Sequence, residues 1–307
     1  MHPVLFKIAG IEIYTYGILV AVGFIVGISI AVKEGERYGI EPVKIIDLSF
    51  FVVISGLLGA RIFFALTHPE LFKDNPLSVL KIWEGGFVWY GGFILVLIIC
   101  FIYSVLRNVD FIKLLDALAP SAAMGLSIGR WGCFSAGCCY GKITFSKIGV
   151  VFKDIRSIAP LDIPLHPTQI YMSFANYLVF LILMASREER ILSISDLYAI
   201  IFYLLVRFYA YDFPFNLLLD TSVIVIYFSI FFWFKFLLSK ALSPLRKREF
   251  RGMGASLYLL TYPVFRFIIE FFRGDPRGSV GPFSTSQFIS FFAFSAGVFL
   301  FLYMKKK

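Results

Sequence analysis

Nine long apolar runs follow one another along this chain, at roughly 13–32, 46–66, 87–106, 114–128, 169–186, 195–211, 221–239, 256–272 and 287–304. About 20 apolar residues is the length a helix needs to cross the roughly 30 Å hydrocarbon core of a bilayer. Within that core each backbone N–H and C=O must be satisfied inside the segment, so such runs specify helices. Barrel strands alternate over about 10 residues, and these runs do not. The fold class read from them is an all-α polytopic membrane protein, one integral-membrane domain over 1–307. Composition agrees: 59% of the 307 residues are hydrophobic and 16% charged. A soluble domain is nearer half apolar and a quarter charged. No cleavable leader is read, because the first run ends without a small-residue cleavage pattern. The net charge of +9 suits cytoplasmic loops. With no soluble domain to carry a basic patch, nucleic acid is excluded as a partner.

Basic residues set an orientation. Lys240, Arg246, Lys247, Arg248 and Arg251 crowd one loop, and Lys305, Lys306 and Lys307 close the sequence. Two runs separate these clusters, which puts both on one side, and their charge assigns that side to the cytoplasm. Counting back leaves the N-terminus outside and places 130–168 at the outer face. That segment keeps Arg130, Lys142, Lys147, Lys153 and Arg156, against the charge rule. Positive charge there suits the level of phospholipid head groups.

Two arginines fall where bare charge is costly. Arg130 follows the run ending at Ile128, and Arg266 sits inside Tyr262-Pro263-Val264-Phe265-Arg266-Phe267-Ile268-Ile269-Glu270. Placing a guanidinium at the bilayer centre costs at least about 2.5–3.5 kcal/mol, so such residues mark function. Arginine's rigid fork suits phosphate. Glu270 and Arg273 follow Arg266 at spacings that put all three on one helix face. A buried counter-charge to Arg266 is the plain reading of Glu270, and it is compatible with a catalytic one. Glycines at 17, 23, 27, 56 and 59 read as helix packing. Gly129, Gly132, Gly137 and Gly141 flank Arg130 in what reads as a turn-rich stretch, where glycine shapes irregular backbone around a cavity. Cys133, Cys138 and Cys139 lie in that stretch, while Cys100 lies alone in a run. Their spacing fits a zinc site poorly, so no metal is expected. Small buried apolar groups, and a disulfide or reactive thiol at the outer face, both stay open.

The blocks resemble, in order, the bacterial prolipoprotein diacylglyceryl transferase family. They are Tyr14-Thr15-Tyr16-Gly17, Gly59-Ala60-Arg61, Trp83-Glu84-Gly85-Gly86-Phe87-Val88-Trp89-Tyr90-Gly91-Gly92, and Gly129-Arg130-Trp131-Gly132-Cys133-Phe134 with Gly137 and Tyr140-Gly141. His166-Pro167-Thr168-Gln169-Ile170-Tyr171 follows, then Tyr262, Arg266-Phe267, Glu270-Phe271-Phe272-Arg273 and Gln287. The resemblance covers all but about 188–250, which reads as two inserted spans added to about seven family spans. It implies transfer of a diacylglyceryl group from phosphatidylglycerol to the lipobox cysteine of a prolipoprotein signal peptide, at the bacterial cytoplasmic (inner) membrane and without a cofactor. It implies catalytic roles for Arg130, Arg266, Tyr90 and Glu270. Substrate binding falls to Tyr16, Tyr262, Gly141, Arg273, Gly91, Gly92 and Gln169. The sequence departs from the family where Tyr90 stands for the usual histidine, and where Cys133, Ala136 and Cys138 stand for asparagine, asparagine and glutamate. These departures leave two alternatives: a related lipid transferase with another acceptor, and a non-catalytic phospholipid-binding protein. A transporter is disfavoured, because no two interrupted spans are related by an inverted repeat.

Overall fold

A computed structural model describes residues 3–8, 11–73, 75–81, 85–187, 233–246, 249–276 and 278–306. A hairpin of β1 (Val4–Ile8) and β2 (Ile11–Tyr14) leads into α1 (Thr15–Arg37), α2 (Pro42–Thr67), α3 (Trp89–Leu106) and α4 (Phe111–Ala136). The short pair β3 (Val150–Val151) and β4 (Pro164–Leu165) precedes α5 (Thr168–Ala185). Then come α6 (Met253–Glu270), the pair β5 (Ser279–Val280) and β6 (Phe283–Ser284), and α7 (Thr285–Lys305). Six of these helices are long and apolar enough to cross a membrane: α1 to α5 and α7. Arg266 and Glu270 in α6 lower the apolarity of the remaining one. The expected span 195–211 and most of 221–239 lie outside the described residues.

The fourth run, 114–128, is short for a span, with Gly129 to Phe134 as one candidate extension. The helix takes that extension and continues through the signature block to Ala136, so Gly129, Arg130 and Gly132 are helical. Pro120 sits inside α4, and no proline follows to break its second half. Gly132 is there for closeness: a Cβ on it would stand 3.1 Å from the Tyr16 carbonyl oxygen. The irregular backbone begins one turn later, at Gly137 with φ +74° and Cys139 with φ +61°.

The chain divides into two compact units, 28–118 and the remainder. In the first, α2 packs on α3 through glycine. A Cβ on Gly59 would lie 2.5 Å from the Gly91 carbonyl, and one on Gly92 2.6 Å from the Gly56 carbonyl. Lipid tails are as apolar as leucine, so close backbone approach rather than water exclusion holds such helices together. The buried Arg61 closes this unit's loop. Its guanidinium donates to the carbonyls of Ser78 (2.9 Å), Val79 (3.1 Å) and Gly85 and lies over the rings of Phe64 and Phe72. Asp110 caps α4 by accepting from the backbone of Ile112 and Lys113.

In the other unit α5 is the inner helix: 67% of its apolar window is buried, against 22% for α7. Mutual hydrogen bonds between Ser127 and Ser173 tie α4 to α5. Met172 and Ala175 of α5 pack on Ile269 of α6. Ser284 and Gln287 form a capping box at the start of α7, a structural use of the Gln287 singled out in the sequence. Outside the helices, the Arg156 guanidinium pairs with Asp154 at 2.7 Å and holds that carboxyl well below the usual carboxylate range.

Candidate functional site

Helix α4 presents Arg130, nearly two turns before its end, to a cluster of sulfur. Its Nη1 lies 3.9 Å from Cys133 Sγ and 3.6 Å from Cys139 Sγ. The thiols of Cys133, Cys138 and Cys139 all lie within 4.8 Å of one another, and none of the four cysteines is in a disulfide. Positive φ at Gly137 and Cys139 turns the chain back so that residues 138 and 139 face 133. A Cβ on Gly137 would collide with Ser157. The turn is pinned from α5: Thr168 donates to the Cys139 carbonyl at 2.7 Å and Gln169 to the Cys138 carbonyl at 2.8 Å. Gln169, expected to reach substrate, is therefore fully buried and committed to the loop. Thr168 was not singled out, although it is part of the His166 block.

Tyr262 of α6 and Tyr16 of α1 are electrostatic neighbours of Arg130, and Tyr262 stacks on Tyr258 with centroids 5.4 Å apart. Among the described residues, no carboxylate lies within ion-pair distance of Arg130, and its hydrogen bonds go to sulfur. Arg266 differs. Its Nη2 lies 2.9 Å from Glu270 Oε2 and donates to Ser286 Oγ at 2.9 Å. Ser286 comes from α7, and no local sequence pattern pointed to it.

Arg273 does not share a helix face with Arg266 and Glu270. Helix α6 stops at Glu270, and the tight bonds Phe272 N–H to Ile269 O and Arg273 N–H to Glu270 O end it. Such three-residue bonds satisfy the last carbonyls of a helix. Beyond them Arg273 bridges Gly141. Its guanidinium grips Asp275 with two bonds of 2.8 Å and is an electrostatic neighbour of Cys139. Gly141 is required where three strands of backbone meet. A Cβ there would be 2.8 Å from the Phe272 carbonyl and closer still to His166. His166 Nδ1 bonds the Tyr171 hydroxyl at 3.1 Å, with its ring against Phe272. Tyr90, Gly91 and Gly92 belong to the 28–118 unit, at the start of α3. There the two glycines serve the packing on α2.

The fold and the site together define a multi-pass helical membrane protein with arginines set into its membrane helices. The particular family follows from comparison: the chain belongs to the prolipoprotein diacylglyceryl transferases, whose family model matches residues 3–219 and 219–303. It is 35% identical to the phosphatidylglycerol--prolipoprotein diacylglyceryl transferase of Clostridium tetani, over 98% of this chain and 97% of that one. It is 31% identical to the enzyme numbered 2 of Clostridium perfringens, over 100% and 97%. The Finegoldia magna enzyme is 26% identical over the same shares.

Proposed function

We propose that the protein transfers the diacylglyceryl group of phosphatidylglycerol to the lipobox cysteine of prolipoproteins in the bacterial cytoplasmic membrane. The observation that carries this reading is Arg130. It is a guanidinium on a membrane helix, inside the family's signature block, with no carboxylate partner among the described residues. An anionic phosphodiester supplies the missing counter-charge, and arginine's fork can hold it with two bonds.

In the proposed reaction the acceptor sulfur attacks the glycerol carbon that bears the phosphate. A C–S bond forms, the C–O bond breaks, and its electron pair leaves on glycerol phosphate. The thiol proton is released, because thiolate is the nucleophile. Arg130 and Arg266 stabilise the charge that gathers on the departing phosphate; one such donor is worth about 2.7–4 kcal/mol. Glu270 orients Arg266 and offers a carboxylate for the proton. Tyr16 and Tyr262 hydrogen-bond the head group, while Gly141, Arg273 and Gln169 shape the backbone beside it. Tyr90, flanked by Gly91 and Gly92, takes the place of the family histidine as a hydrogen-bond donor or proton relay. The N-terminus lies outside and the C-terminus in the cytoplasm. Residues 188–250, read from the sequence as an inserted two-span segment, lie largely outside the described residues.

A specific observation favours a second reading, a related transferase with a different acceptor: Tyr90, Cys133, Ala136 and Cys138 replace polar family residues. The protein reconstituted with phosphatidylglycerol and a lipobox peptide separates the two. Thioether-linked diacylglycerol on the peptide supports the proposal. An unmodified peptide, with glycerol phosphate still released to another acceptor, supports the second. If Tyr90→His alone restores peptide modification, the acceptor was right and the proton relay was the defect.

A further inference from the structure

We propose that Cys133, Cys138 and Cys139 form a three-thiolate site for a soft monovalent metal ion of the copper(I) class. Their sulfurs already lie within 4.8 Å of one another. Metal–sulfur bonds of about 2.3 Å in a trigonal plane separate the ligands by about 4 Å, so each sulfur need move by less than about 1 Å. The loop that carries them is built: Gln169 and Thr168 hold the carbonyls of Cys138 and Cys139, and left-handed backbone at Gly137 and Cys139 turns the thiols together. Side chains limited to packing would need neither device.

The ligand set selects the metal. Sulfur-only donors prefer copper(I) and zinc, and structural zinc takes four ligands. Among the described residues the three cysteines stand as a group without a further His, Asp, Glu or Cys. Three-coordination suits a monovalent soft ion. The charge also fits. Binding releases three thiol protons and gives a complex of net charge −2. Arg130 approaches Cys133 and Cys139. Arg273 is an electrostatic neighbour of Cys139 while sharing its charge with Asp275. Cys100 is a natural control, buried in the 28–118 unit and away from this cluster in sequence.

The test is titration of the purified full-length protein in detergent with copper(I), kept reduced by ascorbate and contested by a chromogenic copper(I) chelator. The expected result is one copper per chain with a near-ultraviolet thiolate-to-copper band. Affinity falls at least about 10-fold in C133S, C138S and C139S, and C100S keeps it. Should a serine variant misfold, the wild-type protein still decides, because copper then protects residues 133, 138 and 139 together from alkylation, read by peptide mass spectrometry. Absence of bound copper, retention in C139S, or equal alkylation with and without copper overturns the proposal. The outcome does not depend on whether the transferase reading holds.

Discussion

Arg130 and Arg266 are chemically alike yet set in opposite electrostatic states. Arg266 is neutralised by Glu270 and anchored by Ser286, whereas Arg130 faces thiols and phenols. Arg130→Ala should therefore lose about 100-fold or more in lipid transfer, with little change in melting temperature. Arg130→Lys should recover only part of it, because an ammonium cannot make the two-pronged contact. Glu270→Gln should act on stability as well. It leaves Arg266 buried without its counter-charge, a loss of about 3–5 kcal/mol by analogy with other broken buried pairs, read as a lower melting temperature in detergent. A Glu270→Gln protein that melts like wild type would show that the pair does not contribute to stability. At this scale the sequence was informative, since a charge inside an apolar run is rare enough to stand out. Partners brought by other elements, such as Ser286 and Thr168, left no local trace. Nor did the clustering of the three thiols, which depends on two residues with positive φ that spacing does not reveal.

At the level of elements, the apolar runs located the described helices, because membrane helices must satisfy their own backbone and therefore obey length and hydropathy closely. Their ends were less legible. Glycines around Arg130 suggested a loop, but in α4 they serve close helix approach, with Gly132 against Tyr16. Arg273 was placed on α6 by extending helical spacing three residues beyond the point where the last turn tightens and stops. Gly91 and Gly92 carry a packing load that the motif alone did not disclose. Gly91→Leu should push α3 from α2 and cost about 1–3 kcal/mol, as overpacking does, with a matching fall in thermal stability. Arg61→Lys should loosen the loop before α3, since one ammonium cannot reach the carbonyls of Ser78, Val79 and Gly85 together. Faster proteolysis within residues 73–88 is the expected readout, and wild-type protection would contradict it.

For the whole molecule, the charge pattern proposes an orientation with the N-terminus outside and the C-terminus in the cytoplasm. If 188–250 is an inserted pair of spans, replacing it by a short linker leaves a C-terminal reporter fusion in the cytoplasm. A reporter that flips outward would mean the segment crosses the membrane an odd number of times. A chain with Tyr90 and a cysteine-lined Arg130 should still perform its family's transfer. The most direct test is complementation of a bacterium depleted of its own diacylglyceryl transferase, with diacylglycerol on a reporter prolipoprotein read by mass spectrometry. The reporter should gain diacylglycerol with the wild-type chain and stay bare with Arg130→Ala at equal membrane abundance. A bare reporter with well-inserted wild-type protein, or full modification by Arg130→Ala, would contradict that expectation.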